Sequence, residues 1–272
     1  MASSVAAPTV VAGHPKAKWA RVASLGFALV AAGMALWLIG GLLAGQSMGE
    51  EGAFFVLAIV VGLVAAVVVR RFGTVGHAIG ITLGLGLAVM FFWVAFSLAI
   101  PGSFVEFSGA VMFVMGLATG VGYSIGAIVR RHELHVDPTR GETRAMRVML
   151  GIVVLAMVVS GVLNLTTRSS VAAPAGAIAV EQANFEFSQA TYTVQAGEDS
   201  TLVIHNRDAF THDLVIPALG IESGLITPGS EKLVTILAPP AGDVAIYCSL
   251  HSSDTGAKVP AEDDMAAMLS VK

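Results

Sequence analysis

The sequence predicts an all-α membrane region of five helices followed by an all-β sandwich or barrel. Of the 272 residues, 55% are hydrophobic and only 12% are charged, whereas about a quarter are charged in a typical soluble domain. The charges are also divided unevenly. Residues 1–170 carry 6 acidic and 11 basic side chains, net +5, and residues 171–272 carry 13 acidic and 4 basic, net −9. This asymmetry indicates two units of different chemistry.

The membrane region is predicted from five apolar runs, each near the roughly 20 residues that an α-helix needs to cross a bilayer. None carries an ionisable residue in its middle, so no proton or ion path is indicated. The first run is longer than a signal-peptide core and is interpreted as a retained helix. Glycine pairs such as Gly116 with Gly120 and Gly122 with Gly126 are expected to pack the helices closely. The predicted spans are residues 21–44, 53–69, 76–100, 108–129 and 146–165.

Basic residues in the short connections indicate how the spans are oriented. They precede the first span, follow the second and lie between the fourth and fifth, whereas the alternate connections carry Glu50, Glu51 and Glu106. The positive-inside rule therefore predicts a multi-pass plasma-membrane protein with a cytoplasmic N-terminus and an extracytoplasmic C-terminal part. We expect Glu106, at a membrane edge, to be solvated. The basic residues are Lys16, Lys18, Arg21, Arg70, Arg71, Arg130, Arg131, Arg140, Arg144 and Arg147.

Beyond a linker at residues 167–176, the apolar runs become short and alternate with polar residues. Examples are "TYTVQ", "TLVIHN" and "KLVTIL", and turn signals such as "QAGED" and "TPGSE" separate them. Such runs about ten residues apart are typical of an antiparallel sandwich or barrel. The predicted organisation is a cytoplasmic tail at 1–18, a membrane domain at 19–166, the linker, and an extracytoplasmic β domain at 177–272.

Side-chain parity along the strands predicts which histidines face the interior, because alternate residues of a strand point to opposite faces. His212 has the parity of Leu214 and is expected to point inward, whereas His205 is expected to point outward. Cys248 ends a later strand on its inward face, and His251 follows it in a loop. We therefore expect His212 and His251 to lie near the thiol of Cys248 and His205 to lie away from it.

The thiol and its neighbours form a donor set suited to copper. Cys248 is the only cysteine, which excludes an internal disulfide and a four-cysteine metal site. Its thiolate and the imidazoles of His212 and His251 make a trigonal set that suits copper, and a thioether above the plane completes the blue-copper arrangement. Met265 has inward parity and Met268 outward parity, so Met265 is predicted as the axial ligand. A metal-free sandwich with a buried cysteine is the alternative interpretation.

Residues 178–272 resemble a plastocyanin-type blue copper protein, a cupredoxin. The motifs that carry the resemblance are "HNRDAFTHDLVIP", "TPGSEKLVTI", "GDVAIYCSLH" and "MAAMLSV", and it does not extend to the five spans. It implies a Greek-key sandwich that holds one type 1 copper ion at one end and passes single electrons. Asp213 resembles a polar family position that braces the loop bearing the cysteine, with Ser249 as its expected partner; a solvated Asp213 is the alternative.

One segment departs from the family pattern. Residues 252–264, between His251 and Met265, are longer than the corresponding loop of plastocyanin-like proteins. They contain Gly, Pro and five charged residues, which predicts an exposed excursion. Because closing a longer loop costs more chain entropy, we expect Met265 to be held less firmly than the other three ligands.

The leading hypothesis is a membrane-anchored blue copper protein that transfers single electrons on the extracytoplasmic side. The net charge of −9 after residue 170 favours a basic redox protein as partner. Extracytoplasmic copper binding, sensing or delivery without electron transfer is the alternative. We expect no enzymatic activity, because a closed copper site leaves no position for a substrate and no nucleophile with a base is evident. The expected contacts include the lipid bilayer, but no nucleic acid and no small-molecule substrate.

Overall fold

The computed structural model describes residues 16–47, 49–130, 139–252 and 265–272. The five α-helices in this part of the chain are all long and apolar enough to cross a membrane. This confirms the predicted fold class of a five-helix region ahead of a β domain. The helices are α1 (Lys16–Leu43), α2 (Gly49–Arg71), α3 (Gly73–Met90), α4 (Phe104–Val129) and α5 (Thr139–Thr167).

The third span differs from its prediction as one run over residues 76–100. The α-helix ends at Met90, and the chain continues as a 3₁₀ helix over Phe92–Ala99. The prediction was wrong there because hydropathy does not distinguish these two helix types. Burial does: Phe91, Val94 and Ser97 are buried while the residues between them are exposed, which matches the three residues per turn of a 3₁₀ helix.

Helices α1 and α4 pack through their glycines. A Cβ at Gly116 would lie 2.6 Å from the Gly26 carbonyl oxygen and 2.8 Å from the Val30 nitrogen. The two backbones therefore approach as closely as small residues allow. Gly122 is different, because a Cβ there would meet nothing within 4 Å. The expectation that Gly122 packs a helix contact is thus wrong, and the expectation for Gly116 is confirmed.

The β domain consists of two facing sheets. Among the described residues one sheet has the strand order β2-β1-β4-β7 and the other β3-β9-β8-β5-β6. Most neighbours are antiparallel, but β1 pairs with β4 and β3 with β9 in parallel. The strands are β1 (Ile178–Ala183), β2 (Glu186–Phe187), β3 (Thr191–Val194), β4 (Ser200–Asn206), β5 (Val215–Ile216), β6 (Ile221–Glu222), β7 (Glu231–Ile236), β8 (Gly242–Tyr247) and β9 (Ala266–Val271).

The core of this domain follows the predicted side-chain parity. Leu202 and Ile204 of β4 are fully buried between the sheets, while His205 is partly exposed and its Nδ1 lies 3.8 Å from Glu231 Oε1. His212 and Cys248 are both fully buried. The interior thus receives the thiol and one histidine, and the outlying histidine is His205, as predicted.

The segment between α5 and β1 is tied to the β domain. The Glu231 amide donates to the Ser169 carbonyl over 2.7 Å, and the Ser169 hydroxyl donates to the Glu231 carbonyl over 2.6 Å. The Val171 amide adds a bond of 3.0 Å to Glu231 Oε2. These bonds hold the start of the linker against β7.

Candidate metal centre

Three donor atoms converge at one end of the sandwich. His212 precedes β5 and is held by a two-way backbone bridge to Ile226, and Cys248 follows the last residue of β8. The chain then turns, with the His251 amide donating to the Cys248 carbonyl over 3.2 Å. Cys248 Sγ lies 3.6 Å from His212 Nδ1 and 3.4 Å from His251 Nδ1, and the two Nδ1 atoms are 3.1 Å apart.

These separations fit a single metal ion. Donors bound about 2.0–2.3 Å from a metal in a trigonal plane lie about 3.5–4 Å from one another, close to the distances between the three atoms. The set of one sulfur and two imidazole nitrogens is that of a blue-copper plane. The three residues predicted as planar ligands from the sequence are therefore brought together.

A buried carboxylate orients His212. His212 Nε2 donates to Asp208 Oδ2 over 2.6 Å, and the two side chains are 0% and 2% exposed. Because Nε2 carries the proton, Nδ1 keeps a lone pair for a metal. Burial raises the pKa of Asp208. The hydrogen bond from His212 and the two backbone hydrogen bonds lower this pKa by more, so it lies below its usual range.

Asp208 also holds a strained turn. Its carboxylate accepts from the amides of Asn184 over 2.7 Å and Phe185 over 3.1 Å. Both residues have left-handed backbones, with φ of 58° and 59°, as in the two-residue turn that joins β1 to β2. A phenylalanine rarely adopts this conformation. It directs the Phe185 ring to within 5.8 Å of the His212 ring and 5.0 Å of the His251 ring.

The sequence analysis did not identify Asp208. The available signal was its position four residues before the predicted ligand His212 in "HNRDAFTH". In a loop that spacing does not bring two side chains together, as it would on a helix. The contact depends on how the loop folds.

A second carboxylate braces the loop of Cys248, as predicted. Asp213 accepts from the Ser249 amide at Oδ1 over 2.6 Å and from the Ser249 hydroxyl at Oδ2. Asp213 is only 7% exposed, so the alternative of a solvated aspartate is wrong. Asp213, which follows His212, is therefore hydrogen-bonded to Ser249, which follows Cys248.

The buried thiol and imidazole are both held in their neutral forms. Burial is the main cause that raises the pKa of Cys248 to about 12. Burial is also the main cause that lowers the pKa of His251 to about 3. The neutral thiol is a poor nucleophile, because the thiolate is the reactive form. A metal ion at this position would bind the thiolate and displace the thiol proton.

Met265 lies beside the three donors. It is 2% exposed in the same core cluster as Cys248, its carbonyl accepts from the Cys248 amide over 3.0 Å, and its amide donates to the His251 carbonyl over 3.3 Å. Met268 is partly exposed on the other face of β9, as parity predicted. The axial role of Met265 stays a prediction, and the excursion predicted for residues 252–264 falls almost wholly on residues 253–264, outside the described residues.

A match to a family model identifies the fold. Residues 153–259 match the model of the cupredoxin-like domain. The C-terminal unit is a cupredoxin-like domain. The cupredoxin family implies copper binding. Among the described residues, the cluster of His212, Cys248 and His251, whose ligand atoms all lie within 4.8 Å of one another, could hold the ion.

Solved copper proteins also match this part of the chain. Auracyanin A, a "blue" copper protein from Chloroflexus aurantiacus, is 21% identical over 35% of this chain and 98% of its own, with a TM-score of 0.28. Reduced auracyanin from Roseiflexus castenholzii is 16% identical over 37% of this chain and 99% of its own, with a TM-score of 0.28. A Cu(I) amicyanin variant is 19% identical over 37% of this chain and 86% of its own, with a TM-score of 0.28. No curated protein matches the chain.

The cupredoxin domain docks on the apolar helices beside the metal centre. Glu106 of α4 was expected to be solvated, but it is only 7% exposed. Its Oε2 accepts from the amide of Thr211 over 2.8 Å and from the Thr211 hydroxyl over 2.5 Å. The expectation was wrong because the loop before His212 covers this carboxylate, which a linear sequence does not reveal. Phe210 enters the same contact, with its ring 5.5 Å from that of Trp37 in α1.

Proposed function

We propose that the chain is a membrane-anchored type 1 copper protein that transfers single electrons on the extracytoplasmic side of the membrane. His212, Cys248 and His251 would form the plane around one copper ion, and Met265 would be its axial ligand. The observation that carries the proposal is the convergence of Cys248 Sγ and the two Nδ1 atoms within 3.6 Å of one another at one end of the cupredoxin domain. Copper bound there would supply a centre that cycles between Cu(II) and Cu(I).

The surroundings of the donors support electron transfer over copper delivery. Asp208 and Asp213 are 3% and 7% exposed, and each makes short hydrogen bonds to a ligand or to the residue beside one. Outer bonds of this type hold the ligands in place and tune the metal. Donors that are already assembled need little rearrangement when an electron arrives or leaves, whereas ready exchange of the ion would require them to open.

The charge distribution supports the proposed orientation and partner. The basic connections between spans favour a cytoplasmic N-terminus and hence an extracytoplasmic cupredoxin domain. A net charge of −9 after residue 170 would attract a basic redox protein and speed their encounter. The five helices would anchor the domain in the bilayer.

The test is the spectroscopy of the full chain in detergent, loaded with Cu(II). We expect an intense visible thiolate-to-copper absorption that disappears and returns with one electron per chain. Cys248→Ser should remove the absorption, and His205→Gln, a histidine outside the cluster, should retain it. A colourless copper complex of the unaltered chain would contradict the proposal. A coloured complex that exchanges Cu(I) rapidly with a chelator would favour the delivery alternative.

A further inference from the structure

A cavity of about 550 Å³ lies between the cupredoxin domain and the adjacent ends of the membrane helices. Its walls are mainly aromatic. Among the described residues, and apart from the two indoles, the polar side chains that line it are Ser97, Glu106, Thr211 and His251. A volume of this size with a few polar groups among apolar walls is typical of a small-molecule site.

The rim of the cavity is apolar where it meets the membrane region. Phe54 of α2 is 50% exposed and Phe96 of the 3₁₀ helix is 70% exposed, and both line the cavity. Exposed aromatic side chains on apolar helices suit contact with lipid. This rim would admit a molecule dissolved in the bilayer more readily than a hydrophilic solute.

One wall of the cavity is a residue of the metal centre. His251 lines the cavity while its Nδ1 lies 3.4 Å from Cys248 Sγ. From His251, ring contacts continue to Phe185 at 5.0 Å, from Phe185 to Phe210 at 5.4 Å and from Phe210 to Trp37 at 5.5 Å. A ligand in the cavity would therefore lie beside a copper ligand and against a continuous aromatic wall.

The lining selects among lipophilic molecules. An acyl chain would contact the apolar walls but could not donate to Oε1 of Glu106, the carboxylate oxygen that Thr211 does not contact. A planar ring can pack against the aromatic walls, and a hydroxyl group on it can donate to Glu106, since a carboxylate only accepts. A lipophilic hydroquinone combines the ring with the hydroxyl groups.

We propose that this cavity binds a lipophilic hydroquinone from the bilayer and that the bound ring reduces the copper centre through His251. The inference rests on the proposed function and names its electron donor. Each hydroquinone breaks two O–H bonds, releases two protons to water and becomes the quinone, and its two electrons reduce two Cu(II) ions to Cu(I), one at each of two encounters with a copper centre. The sequence predicts no small-molecule substrate, on the ground that a closed copper site leaves no position for one. The cavity is formed by residues far apart along the chain, so the sequence alone does not reveal it.

Binding is tested first on the copper-free full chain in detergent. Trp37 and Trp93 line the cavity, whereas Trp19 packs against Tyr123, so the Trp19→Phe variant reports from the cavity alone. We expect decylubiquinone to quench its tryptophan fluorescence saturably and decylubiquinol, kept anaerobic, to displace the quinone. Quenching that rises linearly, as for partition into micelles, would overturn the inference.

Two variants and a matched control locate the site. Ser97 is 6% exposed, and Ser97→Leu would fill part of the cavity and weaken quinone binding about tenfold or more. Ala95→Leu adds a similar volume at an exposed position of the same 3₁₀ helix and should leave binding unchanged. Glu106→Gln should weaken decylubiquinol about tenfold but decylubiquinone little, since the quinone donates no hydrogen bond. Equal effects of Ser97→Leu and Ala95→Leu would overturn the assignment of the cavity.

Electron transfer is tested on the Cu(II)-loaded chain. The rate of bleaching by decylubiquinol should saturate with its concentration and fall in Ser97→Leu in proportion to the lost binding. Normal bleaching by ascorbate without saturable quinone quenching would overturn this inference and leave the proposed function standing. Saturable quenching with no thiolate-to-copper absorption would instead remove the proposed function, and with it the role of the ligand as electron donor.

Discussion

His212 donates a hydrogen bond from Nε2 to Asp208 Oδ2 over 2.6 Å in a place where both side chains are buried. The bond sets the tautomer of the imidazole and leaves Nδ1 free to face Cys248. The same carboxylate fixes the Asn184–Phe185 turn against both histidine rings. One acidic residue thus positions a proposed ligand and an aromatic wall of the centre.

Replacing this carboxylate should weaken the metal centre. We expect Asp208→Asn to lower the copper affinity about 10- to 100-fold, the usual effect of losing a hydrogen-bond partner of a metal-binding histidine. Competition with a chelator of known affinity measures the change. Asp243→Asn, at an exposed position in β8, is the matched control. An unchanged affinity in Asp208→Asn would contradict the positioning role.

Removing Asp213 should destabilise the fold more than removing the hydroxyl of Ser249, its hydrogen-bond partner. Asp213→Ala removes both bonds and leaves the Ser249 amide without this acceptor, so we expect a loss of about 1–3 kcal/mol in the free energy of unfolding. Ser249→Ala keeps the bond from the backbone amide to Asp213 and should cost less. Denaturant unfolding of the two copper-free variants measures the difference. The brace is disproved if Ser249→Ala is the more harmful change.

The docking contact between Glu106 and Thr211 should appear as an energetic coupling between the two domains. The change in the free energy of unfolding of the double variant Glu106→Gln, Thr211→Val should differ from the sum of the two single changes by about 0.5–3 kcal/mol. Residues in direct contact show a coupling of this size. The loss of the copper absorption on denaturant unfolding in detergent reports the free energies. Glu106→Gln combined with Glu198→Gln, an exposed residue, should be additive, and additivity in both cycles would argue against the contact.

The close approach of α1 and α4 should make one glycine sensitive and another tolerant. At Gly116 an added Cβ would meet the Gly26 carbonyl oxygen at 2.6 Å, so Gly116→Ala should destabilise the full chain by about 1–3 kcal/mol. Gly122→Ala lies in the same helix with open space around it and should be neutral or slightly stabilising, because alanine has the higher helix propensity. Thermal unfolding in detergent compares them. A similar loss in both variants would contradict the packing explanation, because the higher helix propensity of alanine favours the substitution at both positions.

Some features of the site followed from local pattern and others did not. Parity predicted the inward positions of His212 and Cys248, because the alternation of a strand depends only on the chain itself. The partner of Asp213 was predicted from a motif resemblance. Asp208 and Phe185 were not identified, since their roles require a loop and a turn to meet across the end of the sandwich.

The sequence by itself determined the two-part organisation, the five apolar spans, the strand alternation and the donor types, because hydropathy and side-chain period are local properties of the chain. Only the tertiary structure decided that α3 ends at Met90, that Glu106 is buried under Thr211, and that His251 lines an aromatic cavity. Each of these depends on contacts between residues far apart in sequence. Burial and hydrogen bonding there follow from which surfaces dock, and no short stretch of the chain encodes that choice.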